Sequence, residues 1–183
     1  MASAEASWRT DEVFGVARDV PPNYVVREAV DGQLVSDLAR DKHIVIHGGS
    51  KQGKTCVRKH CLNDSDYILV QCSNRWSLAD LHSTILKRAG FEVTLANSKS
   101  QSGTARVNVE YKGLAVQGEG GTEVTQDTAP LELDVEDVND VIEALESIGF
   151  ALFVVLEDFH YLQPETQADF SVALKAFHES SRF

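Results

Sequence analysis

The chain has 183 residues, 43% hydrophobic and 25% charged, with a formal net charge of −11. That length is expected to make one domain that buries about 70% of its unfolded surface around its own core. The acidic balance argues against bulk attraction to nucleic acid or anionic membrane, no apolar run approaches the ~18 residues of a membrane span, and three unpaired-looking cysteines (Cys56, Cys61, Cys72) indicate neither a disulfide framework nor a zinc site.

The opening residues, to about Asp19, are polar with scattered apolar side chains and read as a short helix or a loose arm, set apart as residues 1–23. They lack the basic start and apolar centre of a secretory signal, so a cytoplasmic location is expected. Val20-Pro21-Pro22-Asn23 predicts a turn, because two prolines fix φ and an asparagine follows. Tyr24-Val25-Val26-Arg27-Glu28 comes next, leading into a stretch ending near Ala39 in which Val30, Leu34 and Leu38 recur at i, i+4 and i+8, a helical stripe. The apolar run from His43 to His47 predicts a buried strand.

Gly48-Gly49-Ser50-Lys51-Gln52-Gly53-Lys54-Thr55 follows that run directly and completes the pattern G-x-x-x-x-G-K-[ST]. A phosphate chain is wrapped by backbone N–H groups, and glycines allow the main chain both the close approach and the left-handed conformations this requires. Lys54 is expected to reach the β- and γ-phosphates and the Thr55 hydroxyl to ligate Mg²⁺. A helix from Lys54 through Cys56 to about Cys61 would turn its unpaired N-terminal N–H groups toward the same phosphates. Lys51, Lys54, Arg58, Lys59 and His60 concentrate positive charge around this loop, the local exception to an acidic chain.

Beyond the turn-rich Leu62-Asn63-Asp64-Ser65, Tyr67 to Cys72 reads as a second buried strand, short and apolar. Ser77 opens a helix with Leu78, Leu81, Ile85 and Leu86 on one face, closed by Ala89-Gly90. Residues 97–130 break this rhythm. Arg106 to Tyr111 alternates with period two, Lys112-Gly113 offers a turn into Leu114-Ala115-Val116, and the expected form is a solvent-facing β-hairpin insertion with a Gly-rich, acidic tail from Gln117 to Thr128. From Asp134 the alternation resumes, with a helix carrying Val138, Val141, Ile142 and Leu145. Phe150 to Leu156, the most hydrophobic run in the chain, predicts a central strand buried on both faces. A last helix runs from Pro164 to about Glu179. Alternating helices and buried strands predict an α/β fold, a phosphate-loop three-layer sandwich around a parallel sheet.

Glu157-Asp158 ends the Phe150–Leu156 run and completes the expected site. A divalent cation already held by phosphate oxygens and the Thr55 hydroxyl calls for a carboxylate, and a second carboxylate can orient or deprotonate the attacking water. Glu157 and Asp158 are therefore candidates for both metal binding and catalysis.

With these elements the chain resembles the AAA+/STAND group of ATPases, most closely bacterial members with a Leu-Glu-Asp-Phe-His-Tyr-Leu segment, present here as Leu156 to Leu162. The likeness spans roughly Tyr24 to the end, so residues 24–183 are expected to form the ATPase domain. Tyr24, Val25 and Arg27 are similar to the group's hydrophobic-Gly-Arg-Glu element, which contacts adenine; Val26 stands where the glycine is usual. The resemblance implies ATP rather than GTP, and a metal carboxylate followed by a catalytic base, although the usual order is Asp then Glu. It also implies a further strand with a polar sensor residue, an arginine finger and a helical lid. The chain ends at Ser180-Ser181-Arg182-Phe183, where that strand is due, and so reads as a truncated domain. The function expected is ATP·Mg²⁺ binding whose nucleotide state controls assembly, as a homo-oligomer or with a partner protein, or signalling, with weak hydrolysis. A non-hydrolysing nucleotide-gated module acting through the insertion, or a small-molecule kinase, are the alternatives.

Overall fold

A computed structural model describes residues 9, 13, 20–40, 42–95, 106–113 and 131–180. The chain divides into two compact units, Met1–Asp64 and Ser65–Phe183.

In the first unit the predicted turn forms, with the Tyr24 N–H donating to the Pro21 carbonyl at 2.9 Å. Helix α1 covers Asp31–Leu38 and helix α2 covers Lys54–Cys61; they pack against each other. The predicted strand at 43–47 does not form. Among the described residues neither sheet includes this run, and an apolar segment outside a sheet lacks the ladder that would hold it extended. Val45 is accordingly 82% exposed.

The second unit holds the main core. Strand β1 (Tyr67–Gln71) leads to helix α3 (Leu78–Arg88), which Ser77 starts with a capping box: the Ser77 hydroxyl accepts the Asp80 N–H, and the Asp80 carboxylate accepts the Ser77 N–H. Leu81, Ile85 and Leu86 recur on its inner face and are fully buried, each burial contributing about 2 kcal/mol. Gly90, at φ 101°, releases the chain from this helix, as the sequence predicts.

Strands β2 (Phe91–Leu95), β3 (Arg106–Tyr111) and β4 (Leu131–Asp134) then make an antiparallel sheet in the order β2-β3-β4. Here the structure corrects the predicted hairpin. The Arg106–Tyr111 strand pairs with β2, Val93 opposite Val109, and with β4, Val107 opposite Leu133. Its alternation arises because Val107 and Val109 point into the core, where each is nearly fully buried, so the strand is structural and not solvent-facing. Leu114 to Val116 and the acidic tail lie outside the described residues, as does most of the 1–23 arm.

Helix α4 (Val138–Ser147) begins at Asp137, whose carboxylate accepts the Asn139 N–H, and buries Val141, Ile142, Ala144 and Leu145. Strand β5 (Phe153–Glu157) pairs parallel with β1, Tyr67 opposite Phe153 through Gln71 opposite Glu157. Helix α5 spans Pro164–Ser180 and closes the core with Phe170, Ala173 and Phe177. The predicted central strand is corrected too. Among the described residues β5 pairs on one edge only, with β1, and its residues are half-buried, Phe153 being 44% exposed. A strand is buried on both faces only when neighbours and covering helices flank it on both sides. The fold is α/β, with a small parallel sheet and a separate antiparallel sheet.

Candidate functional site

The sequence-predicted residues fall into two groups, one in each unit. In the first, the loop 48–53 is shaped by three left-handed residues, Gly48 (φ 150°), Lys51 (φ 62°) and Gly53 (φ 79°). Reversals of this kind turn successive N–H groups toward one side, the geometry of an anion nest. Gly48 is favoured by its φ, which disfavours a side chain; a Cβ there would meet only the movable end of Gln52, whose Oε1 would lie 2.5 Å away. Gly53 stands immediately before α2, so the loop delivers the chain straight into the helix.

Lys54 holds the loop closed. Its ammonium donates to the carbonyls of Gly48, at 3.0 Å, and Gly49, at 2.8 Å. Two of its three N–H donors are thereby used on the loop, and the third is available to a ligand. Beside it is a cleft of 470 Å³, all within the first unit, lined by Arg27, Val30, Ile46, His47, Gln52, Lys54 and Val57. Its lining has two characters, cationic and polar at Arg27, Gln52 and Lys54, apolar at Val30, Ile46 and Val57. The volume is within the ~300–1,000 Å³ of small-molecule sites. Of the basic residues counted around the loop, Arg58 is only 6% exposed, so it adds no solvent-facing charge. Thr55 lies in the first turn of α2, exposed, with Cys56 half-buried next to it.

Tyr24, Val25 and Arg27 belong to this first group, held by a residue that sequence reading missed. Asp31 is 4% exposed, and its carboxylate accepts the Tyr24 hydroxyl and, at 2.6 Å, the Arg27 backbone N–H. The hydroxyl, then the N–H, hold the Asp31 carboxyl below the usual carboxylate range. On the other side the Tyr24 ring lies 5.0 Å from the His60 ring of α2, and the Cys61 thiol donates to the Asp31 carbonyl at 3.8 Å. An acidic residue on a predicted helix has too many ordinary uses for spacing alone to reveal this one. Val25, at 73% exposure, makes no part of the cleft lining.

The second group sits at the carboxyl ends of the parallel strands, where open α/β sheets bind ligands. Glu157 is the last residue of β5, paired with Gln71, and its carbonyl accepts the Cys72 N–H at 2.9 Å. Asp158 follows in the left-handed conformation (φ 59°), which turns the chain into the 3₁₀ segment Phe159–Tyr161. Its carboxylate accepts a hydrogen bond from Gln71 Nε2 at 3.3 Å. Both carboxylates are half-buried. Neighbouring Cys72 has its thiol pushed up to about 11, by burial and then by the Asp158 charge. The two carboxylates are hard oxygen donors of the kind that suit Mg²⁺. Among the described residues no cluster of three or more His, Cys, Asp or Glu is placed to hold a metal by itself, and no helix is long and apolar enough to cross a membrane. No protein-family model, curated protein or solved structure matches this chain.

Proposed function

We propose that the chain is an ATP·Mg²⁺-binding module, similar to those of AAA+/STAND ATPases and built on a phosphate-loop sandwich, whose nucleotide state controls assembly or signalling. The observation that carries this reading is the Lys54 clamp on the Gly48 and Gly49 carbonyls, which closes the loop beside a cleft with one cationic and one apolar side. A nucleoside triphosphate has the same division, polyanionic at one end and a flat, weakly polar base at the other. The loop N–H groups, the free Lys54 donor and the start of α2 bind the phosphates, while Val30, Ile46 and Val57 cover the base and sugar. The Thr55 hydroxyl is a candidate ligand for the metal, which would neutralise phosphate charge, and Glu157 and Asp158 are candidates for metal binding and for orienting the attacking water.

Turnover by this chain is slow in this reading, since the Gln71 hydrogen bond already engages Asp158. The same bond favours a second reading, a module that holds ATP without hydrolysing it. Titration calorimetry with ATP·Mg²⁺, followed by phosphate release on the same sample, separates the two. Binding with slow release that disappears in Glu157→Gln or Asp158→Asn is expected for the first; binding without release is the second. An absence of binding by the wild type, or equal binding by Lys54→Ala, refutes both.

A further inference from the structure

Resting on that reading, we infer that Arg27 is a second phosphate-directed cation of the cleft, rather than a contact to the base, and that Asp31 is the residue that positions it. Arg27 Nη2 lies 4.0 Å from the position a Cβ would take on Gly53, the residue that starts α2, and Arg27 lines the same cleft as Lys54. Its guanidinium, which also bonds the Tyr24 hydroxyl and lies beside the Asp31 carboxylate, thus reaches the loop's last turn.

The Asp31 carboxylate and the Tyr24 hydroxyl hold the cation there, and helix stability does not favour it. Arg27 precedes α1 by four residues and approaches the beginning of α2, and both are helix N-termini, where the macrodipole is positive and an added positive charge is unfavourable. With Lys54 nearby, the arrangement gathers positive potential at one point of a chain whose net charge is −11. Asp31 offsets part of this charge, a polyanion can offset the rest, and a planar guanidinium can meet a phosphate with two parallel N–H donors.

Asp31 supplies the aim. Its one carboxylate fixes the Arg27 main chain and the Tyr24 hydroxyl, and Tyr24 in turn lies against His60 of α2. The Tyr24 end is therefore tied to the helix that follows the phosphate loop and the Arg27 end to Asp31 at the start of α1, so the guanidinium is held near the loop before any ligand arrives. Pre-organisation of this kind removes part of the ordering cost of binding. Asn at position 31 can keep both links, accepting the Arg27 N–H with its carbonyl and donating from its amide to the Tyr24 oxygen; Ala keeps neither.

The test uses the whole chain and three ligands: ATP·Mg²⁺, Mg²⁺·tripolyphosphate, which has phosphates and no base, and adenosine, which has a base and no phosphate. Arg27→Ala is expected to weaken ATP and tripolyphosphate by the same factor, about tenfold for the loss of one charge-assisted pair, and to leave adenosine competition unchanged. Asp31→Ala is expected to reproduce that pattern and Asp31→Asn to restore most of it, with circular dichroism confirming folded chains. Should Asp31→Ala not fold, Tyr24→Phe, which cuts only the hydroxyl link, must show the same pattern at a smaller factor. Arg27→Ala that weakens ATP but not tripolyphosphate overturns the inference and leaves the nucleotide reading intact. So does an Asp31→Asn chain as impaired as Asp31→Ala. A wild type that binds neither ATP nor tripolyphosphate removes the reading itself.

Discussion

Replacing Gly53 by alanine isolates the backbone's share of the loop. Gly53 sits at φ 79° and ψ 23°, and a Cβ built there meets only Arg27 Nη2, at 4.0 Å, an ordinary contact. No steric clash is involved, so the cost is that of forcing an L-residue into the left-handed region, about 1–2 kcal/mol. Gly149, which ends α4 at φ 63° with nothing within 4 Å of its Cβ position, is the matched control. The two alanine variants are expected to lose the same stability in urea denaturation, and the two asparagine variants about half as much, since asparagine tolerates this conformation. Binding separates them. If Gly53→Ala escapes its strain by moving the loop, the N–H groups lose their common direction and ATP·Mg²⁺ affinity falls about tenfold, because about 1.4 kcal/mol corresponds to that factor. Gly149→Ala is expected to bind normally. Equal losses of affinity in both, or a Gly53→Ala chain with wild-type stability, would refute the assignment of left-handed strain to the loop.

Val109→Ala, at a β3 position 2% exposed, removes two carbon atoms from the core and is expected to cost about 2 kcal/mol, whereas Val45→Ser in the uncovered 43–47 run should stay within about 0.5 kcal/mol of wild type; equal effects in urea titrations would contradict the corrected strand assignments. His82, fully buried, has its Nδ1 2.7 Å from the Val135 carbonyl, while Nε2 has no partner. Burial lowers its pKa, against an opposing effect of that hydrogen bond, so below about pH 6.5 the unfolded chain binds the extra proton more readily than the folded one. Its contribution to stability is therefore complete above that pH and lost as pH falls below it, with a slope of at most about 1.4 kcal/mol per unit; His82→Leu should remove that slope, and a variant that keeps it places the titration elsewhere. Cys72, with its thiol raised to about 11, should resist iodoacetamide at about pH 8 until denaturant is added, and alkylation at the rate of a small-molecule thiol would exclude the buried position.

Helix positions were legible in the sequence wherever a local signal set them. Ser77 with Asp80, Asp137 ahead of its apolar stripe, Pro164 in a first turn, and the glycines at 90 and 149 are start and stop chemistry that acts within four residues. Strand partners were not legible. Arg106–Tyr111 has the alternation of a hairpin arm, yet its mates are β2 and β4, because period two says that one face is covered and not by what. The run at 43–47 and the run ending at Glu157 are both apolar enough for buried strands, but among the described residues one joins neither sheet and the other pairs on a single edge.

The same division holds at the candidate site. The sequence by itself determined the loop Gly48 to Thr55 and the helix after it, since glycine conformations and a lysine six residues beyond Gly48 are enough to curl the chain on itself. Only the tertiary structure decided that Asp31 ties Tyr24 and Arg27 together beside α2, that the Arg27 guanidinium comes near Gly53, and that Arg58 is buried. Backbone conformation is a local property that each residue carries with it. The direction of a charged side chain depends on partners brought close by packing, and neither spacing nor composition records them.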